Sequence, residues 1–176
     1  LVMVDKFTKW IEAKPVKTAE SGPVIDFISG VVHCYGIPHS IITDNGTNFT
    51  ADKVKLWCKN MGIKLDYASV YHPQTNGQVE RANGLIMSGI KPRLVRSHKE
   101  SNTHWVEELD PVLWGLRTTP NRTTRFTPFF MVYGAEAILP CDIIHDTPRV
   151  RMYEEIEAEL DRRDSLVALE EERDVA

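Results

Sequence analysis

With 176 residues, 42% of them hydrophobic and 26% charged, the chain has the size of about one domain at roughly 150 residues each. A core of that size stands without disulfide or metal staples, and the composition excludes a disordered tail or a fibrous repeat. No apolar run reaches the ~18 residues of a membrane span. The net charge of −4 argues on its face against a phosphate-binding protein. It is unevenly spread, however: residues 154–176 carry ten acidic and three basic side chains, residues 1–153 eighteen basic and fifteen acidic. The acidity belongs to the tail, and the body is mildly basic.

In chain order, Leu1-Val2-Met3-Val4-Asp5 is a short apolar run closed by a carboxylate, the pattern of a central strand buried on both faces. Leu1 already lies inside that run, so the chain reads as a piece of something longer. Residues 10–16 alternate and hold Pro15 near their end, which suits a strand nearer a sheet edge. Val24, Phe27, Ile28, Val31 and Tyr35 recur at helical spacing within 19–36, and Gly36 with Pro38 predicts the stop. Residues 40–43 form another short strand, ending in Asp44 and followed by the turn pair Asn45-Gly46.

A helix is expected from a Thr50 cap, with Asp52 in its first turn, burying Val54, Trp57, Cys58 and Met61. Residues 64–68 are a third strand candidate. After a polar loop, Thr75-Asn76-Gly77-Gln78 has the spacing of a capping box and opens a long helix carrying Glu80. Gly89 and Pro92 predict a kink or an end of that helix near 91. A helix around 103–118 holds Trp105, Leu109, Val112, Leu113 and Leu116. Residues 119–150 are rich in Pro and aromatic residues without a clear period, and 153–173 are helical by propensity with a thin apolar stripe. Strands alternating with helices indicate an α/β body over 1–150, followed by an acidic helical extension over 151–176.

Cys34, Cys58 and Cys141 are odd in number and widely spaced, which supports neither a disulfide framework nor a zinc knuckle. Two of them fall in apolar helical patterns and are expected as buried free thiols. None of the His and Cys residues stand at zinc-ligand spacing.

Asp5 and Asp44 each end an apolar strand, and ligands of open α/β sheets bind beyond the carboxyl ends of the strands. Carboxylates held close repel unless a cation lies between them, and hard divalent ions take oxygen ligands. Glu80, one turn into a capped helix, could be a third such ligand. Taken singly, each acid is equally an ordinary turn or helix cap. Convergence would decide between the two readings, and composition does not show it.

Three blocks carry a resemblance: Val4-Asp5-Lys6-Phe7-Thr8-Lys9-Trp10, Thr43-Asp44-Asn45-Gly46-Thr47-Asn48-Phe49, and the run from His72 to Asn83, His-Pro-Gln-Thr-Asn-Gly-Gln-Val-Glu-Arg-Ala-Asn. They resemble the signature blocks of retroviral-type integrase catalytic cores, with the closest likeness to plant-like integrases of gypsy-class long-terminal-repeat retrotransposons. Thirty-five residues separate Asp44 from Glu80, the spacing behind that family's D,D-35-E name. Thr127-Pro128-Phe129, Val132-Tyr133-Gly134 and Leu139-Pro140 resemble the block that follows the core. The resemblance implies a ribonuclease-H-like fold, a five-stranded mixed sheet flanked by helices. It implies that Asp5, Asp44 and Glu80 bind two Mg²⁺ or Mn²⁺ ions and catalyse in-line displacement at phosphorus. It further implies a mobile loop before Glu80, with His72, Gln74 and Asn76 reaching the DNA end, and Asn83 close to bound DNA. The implied partners are retroelement DNA ends, target DNA and further copies of the chain, as a dimer or larger, and no membrane. The implied location is the nucleus, with the cytoplasm before import.

The chain departs from the family one and two turns past Glu80, where lysines that grip DNA phosphates are expected and Gly84 and Met87 stand. Arg81, Lys91, Arg93 and Arg96 are the substitutes at hand, unless they are a solvated helix face. Two readings therefore stand. One is a polynucleotidyl transferase with endonuclease activity that trims and joins retroelement DNA. The other is a decayed or repurposed core that binds nucleic acid or protein without catalysis. A ribonuclease-H-type or resolvase nuclease fits the spacing and the loop block less well.

Overall fold

The strands come in pairs of opposite kinds. The computed structural model describes residues 1–68, 77–96, 104–151, 162–165, 167 and 170. β1 (Val2–Val4) and β2 (Ile11–Ala13) are antiparallel, with Met3 opposite Glu12. The pair is prolonged by mutual Leu1–Lys14 backbone bonds of 2.9 Å. β3 (Ser40–Thr43) and β4 (Lys64–Tyr67) are parallel, with Ile41 opposite Leu65. Parallel strands need a crossover of a dozen residues or more. Here two helices supply it, α2 (Thr47–Thr50) and α3 (Asp52–Asn60).

By its contacts the chain forms two compact units, one of Leu1–Val4 with Ile11–Leu113, the other of Asp5–Trp10 with Trp114–Ala176. The core of the first unit gathers Val24, Ile28 and Val32 of α1 (Ser21–Tyr35), Val54 and Cys58 of α3, Ile41 of β3, and Ile63 just before β4. Each large apolar side chain buried there contributes about 1.5–3 kcal/mol. α4 (Gly77–Arg96) packs on β1 and buries Ala82, Ile86 and Ile90, one turn apart. Its Gly89 meets Val112 of α5 (Trp105–Arg117) so closely that an added Cβ would lie 2.7 Å from Val112 Cγ1.

In the second unit, α6 (Pro128–Tyr133) is capped by buried Thr127. The Thr127 hydroxyl accepts the Phe130 amide at 2.9 Å and donates to Glu136 Oε2 at 2.7 Å. Such a cap contributes about 1 kcal/mol, and Pro128 at the first helical position has its φ preset for the turn. Trp10 stands edge-on to Tyr133 at 5.7 Å, and the Arg117 guanidinium lies 4.4 Å from the centre of the Trp10 ring, a cation–π contact. Two short helices follow, α7 (Pro140–Ile144) and α8 (Pro148–Arg151). The Leu139 amide donates to Asp142 Oδ2 at 2.8 Å, tying down the start of α7.

Several expectations are corrected. Among the described residues the strands make two two-stranded sheets, and a five-stranded sheet is not seen. β1 is half-buried rather than buried on both faces. α1 buries Val24, Phe27, Ile28 and Val32, whereas Tyr35 is exposed and donates its hydroxyl to Glu12 at 2.7 Å. Thr50 ends α2 instead of capping α3. Of the two cysteines expected to be buried, Cys58 is buried and Cys34 is exposed. Burial pushes the Cys58 thiol up from its ordinary pKa, which keeps it protonated and unreactive.

α4 does not stop near 91. It runs through Pro92 to Arg96. An interior Pro costs ~3 kcal/mol or more through a lost hydrogen bond and a ring clash. Pro92 is exposed, while the Ala82, Ile86 and Ile90 stripe is buried, so packing offsets the local penalty. Thr75 of the expected capping box lies outside the described residues, as does most of 153–173.

Two glycines of α4 should respond oppositely to alanine. Nothing lies within 4 Å of a Cβ at Gly84, whereas one at Gly89 meets the stiff Val112 side chain. Gly84→Ala should stabilise by up to about 1 kcal/mol from helix propensity. Gly89→Ala should destabilise by ~1–2 kcal/mol. Urea unfolding of the two variants checks this, and shifts of the same sign would contradict the packing described.

Candidate active site

β3 determines where Asp44 stands. Its side chains alternate, with Ile41 and Thr43 buried and Ile42 exposed, so the next residue, Asp44, is also solvent-facing. The chain then turns tightly. The Gly46 amide donates to Asp44 Oδ1 at 3.0 Å, and the Phe49 and Thr50 amides both donate to Gly46 O at 3.0 Å, opening α2. Asn45 Nδ2 donates to Ala68 O at 3.3 Å and the Ala68 amide to Thr43 O at 2.7 Å, fastening this turn to the end of β4. Close approach favours glycine at 46: a Cβ there would lie 2.6 Å from Asn48 Oδ1 and 2.9 Å from Asp44 Oδ1, so those side-chain ends would have to shift. The Thr43 hydroxyl beside this turn is buried without a hydrogen-bond partner among the described residues, a cost of about 1–3 kcal/mol.

Asp5 follows β1 directly and is held by its own turn. Its Oδ2 accepts both the amide and the hydroxyl of buried Thr8, each at 2.7 Å. The Asp5 amide donates to Trp10 O at 2.9 Å, and the Trp10 amide donates to Thr8 Oγ1 at 3.2 Å. Thr8 and Gly46 are positioning residues that the sequence reading quoted within its motifs without giving them a role. The Asp-x-x-Thr and Asp-x-Gly spacings carried the signal, since Asp side chains bond amides two or three residues on.

Glu80 lies in the first turn of α4, exposed, where the positive end of the helix dipole favours a carboxylate. Arg81 and Asn83 are exposed on the same helix, as are Gly84 and Met87 at the positions expected to carry lysine. Arg93 faces Glu108 of α5 with its Nη1 3.5 Å from Oε2, so part of the basic surface expected there is turned toward a neighbouring helix. His72, Gln74 and Asn76 lie outside the described residues.

Asp44 and Glu80 belong to the first unit and Asp5 to the second. Among the described residues, no three His, Cys, Asp or Glu side chains stand together as a metal-holding group. The donor chemistry of the three acids nonetheless fits a hard divalent ion. Each is an exposed carboxylate, and Asp5 and Asp44 each commit a single oxygen to local hydrogen bonds.

A family model, the TnsB C-terminal domain, matches residues 15–95. The Gag-Pol polyprotein of Avian reticuloendotheliosis virus is 34% identical over 135 residues, covering 76% of this chain and 11% of the polyprotein. That of Feline leukemia virus is 35% identical over 138 residues, covering 77% of this chain and 8% of the polyprotein. The chain thus spans a small part of these relatives' length. Among solved structures, the simian T-cell lymphotropic virus intasome in complex with the PP2A regulatory subunit B56 gamma superposes with a TM-score of 0.67 at 21% identity, over 79% of this chain and 49% of that one. The HTLV-2 integrase catalytic core domain in complex with magnesium, in its trimeric form, gives 0.61 at 23% identity, over 73% of this chain and 80% of that one. At such identities the two structures establish the fold, the ribonuclease-H-like α/β fold of integrase cores. The sequence kinship is to retroviral polyproteins, and the fold is that of integrase catalytic cores.

Proposed function

We propose that the chain is the catalytic core of a DNA integrase, a metal-dependent polynucleotidyl transferase with endonuclease activity. It trims the ends of retroelement DNA and joins them to target DNA. The observation that carries this reading is Asp44, an exposed carboxylate at the end of a parallel strand, oriented by the Gly46 amide in a chain whose kin are retroviral polyproteins. Asp5, Asp44 and Glu80 would hold two Mg²⁺ or Mn²⁺ ions. When bound, such ions supply charge stabilisation at the attacking and leaving oxygens of an in-line displacement. The chain's own part is to aim the carboxylates, through Thr8 for Asp5 and Gly46 for Asp44. Arg81 and Asn83, with His72, Gln74 and Asn76, are the proposed contacts to the DNA end. Water is the nucleophile in trimming, and the freed 3′-hydroxyl in joining.

The HTLV-2 core has been solved in dimeric and trimeric forms, which supports assembly of this chain into a homo-oligomer on DNA. The proposed place of action is the nucleus. No described helix is long and apolar enough to cross a membrane.

The test is resolution of a branched oligonucleotide by the purified chain with Mn²⁺. Asp44→Asn should lower the rate by roughly a hundredfold or more, and a variant as active as the parent would contradict the proposal. Gly46→Ala separates aim from stability. Its Cβ collides with mobile side-chain ends, Asn48 Oδ1 and Asp44 Oδ1, so the fold should yield at little cost while the Asp44 carboxylate is displaced. The rate should fall roughly tenfold or more with the melting temperature moved by less than about 2 °C. An unchanged rate would show that the Gly46 turn does not set the position of Asp44.

A further inference from the structure

The first unit has an open groove between α3 and the outer edge of β4. It has a volume of about 430 Å³ and is lined by Lys55, Lys59, Gly62, Ile63, Lys64, Leu65 and Tyr67. Two independent features meet in it. The first is an open strand edge. The Lys64 amide donates to His39 O at 3.1 Å and the Ala68 amide to Thr43 O at 2.7 Å. The ladder of a parallel pair alternates, so the amide and carbonyl groups of Leu65 and Tyr67 point the other way. No described strand covers that side of β4. The second feature is charge. The Lys59 ammonium has no ion-pair or hydrogen-bond partner among the described residues. Lys55 makes only a 3.5 Å contact to a fully exposed Asp52, which a closer partner would displace. Lys64 is 65% exposed and engaged by Asp66 at 3.1 Å.

We infer that this groove binds an extended acidic peptide, which adds to β4 as a further strand and sets carboxylates against Lys55 and Lys59. The spacing of the two lysines selects the ligand. Four residues apart on one helix, they are separated by about 6 Å along its axis. Alternate side chains of a strand, which point to one face, are separated by about 6.6 Å. A peptide with acids at two alternate positions therefore matches both cations while its backbone bonds Leu65 and Tyr67, the strand-addition mode of recognition. Leu65 and Tyr67 offer apolar contact to the peptide's methylene groups, for which a duplex backbone, all phosphate and sugar on its outer face, has no use. An open edge is also a hazard that proteins commonly guard with lysine; here the lysines impose a charge requirement on what pairs with the strand. The inference concerns a surface other than the proposed catalytic acids and needs no metal or DNA, so it can fail or hold independently of the integrase reading.

The experiment is fluorescence anisotropy of a labelled hexapeptide, Thr-Glu-Val-Glu-Val-Thr, titrated with the full chain at low salt. Binding should weaken roughly tenfold when both glutamates are replaced by glutamine, and by a similar factor in the Lys55→Gln, Lys59→Gln double variant. Both substitutions are at exposed positions, and an unchanged thermal melt will show that the fold is kept. Hydrogen exchange at the Leu65 and Tyr67 amides should slow in the complex. Equal affinity for the neutral peptide, indifference to the two lysines, or unaltered exchange at those amides would each overturn the inference. So would a plain duplex oligonucleotide that binds more tightly than the peptide and depends on the same two lysines, which would assign the groove to DNA.

Discussion

The burial of Ile41 and Ile63 beneath α1 and α3 is the constraint from which the site in the first unit follows. These residues share one core with Val24, Ile28, Val54 and Cys58, and they hold β3 beside β4 in one register. A strand alternates with a period of two, so a one-residue slip would reverse every side chain of β3. Asp44 would then turn inward, where an ionised carboxylate is costly. The apolar positions of the crossover thus determine the exposure of a carboxylate they do not touch. The Gly46 turn only refines its aim.

Charge is distributed in keeping with that arrangement. The net charge of −4 is no argument against DNA as a partner, because the balance is negative only in the extension. In the body, the acids proposed for catalysis are exposed, and the closest partners of Asp5 and Asp44 are neutral donors, the Thr8 amide and hydroxyl and the Gly46 amide. Neutral donors orient a carboxylate without cancelling its charge, which leaves that charge for a cation. On the proposed reading, two divalent ions more than offset three carboxylates and attract the phosphates that the acids alone would repel.

Much of this was legible in the sequence, and the misses have identifiable causes. α1 was readable because Gly36 and Pro38 end it and its stripe recurs at helical spacing, although the buried set includes Val32 and excludes Tyr35. Tyr35 is amphipathic, and its hydroxyl takes Glu12 at the surface. Asp44 was readable as a strand-ending acid before a turn. The run of α4 through Pro92 was not, because local propensity does not register the packing of Ile86 and Ile90. The short helices between 128 and 151 have no period to find; their evidence was the punctuation itself, Thr127-Pro128 at one start and Leu139-Pro140 at another. The exposure of Cys34 was missed because a cysteine's place in an apolar pattern does not settle which side of the helix is covered. The sheet expected from the family resemblance has five strands, and the described residues form four, in two pairs.

The central claim is that Asp44 and Glu80 act as divalent-cation ligands and not as ordinary caps. The most direct measurement is the melting temperature of the chain with and without Mn²⁺, beside Asp44→Asn and Glu80→Gln. An ion at a hundred times its dissociation constant adds about 2.7 kcal/mol to the folded state, a rise of roughly 5–10 °C for a chain of this size. The account predicts that rise in the parent chain and its loss in both variants. A rise retained in both, or none in the parent at saturating Mn²⁺, would contradict it.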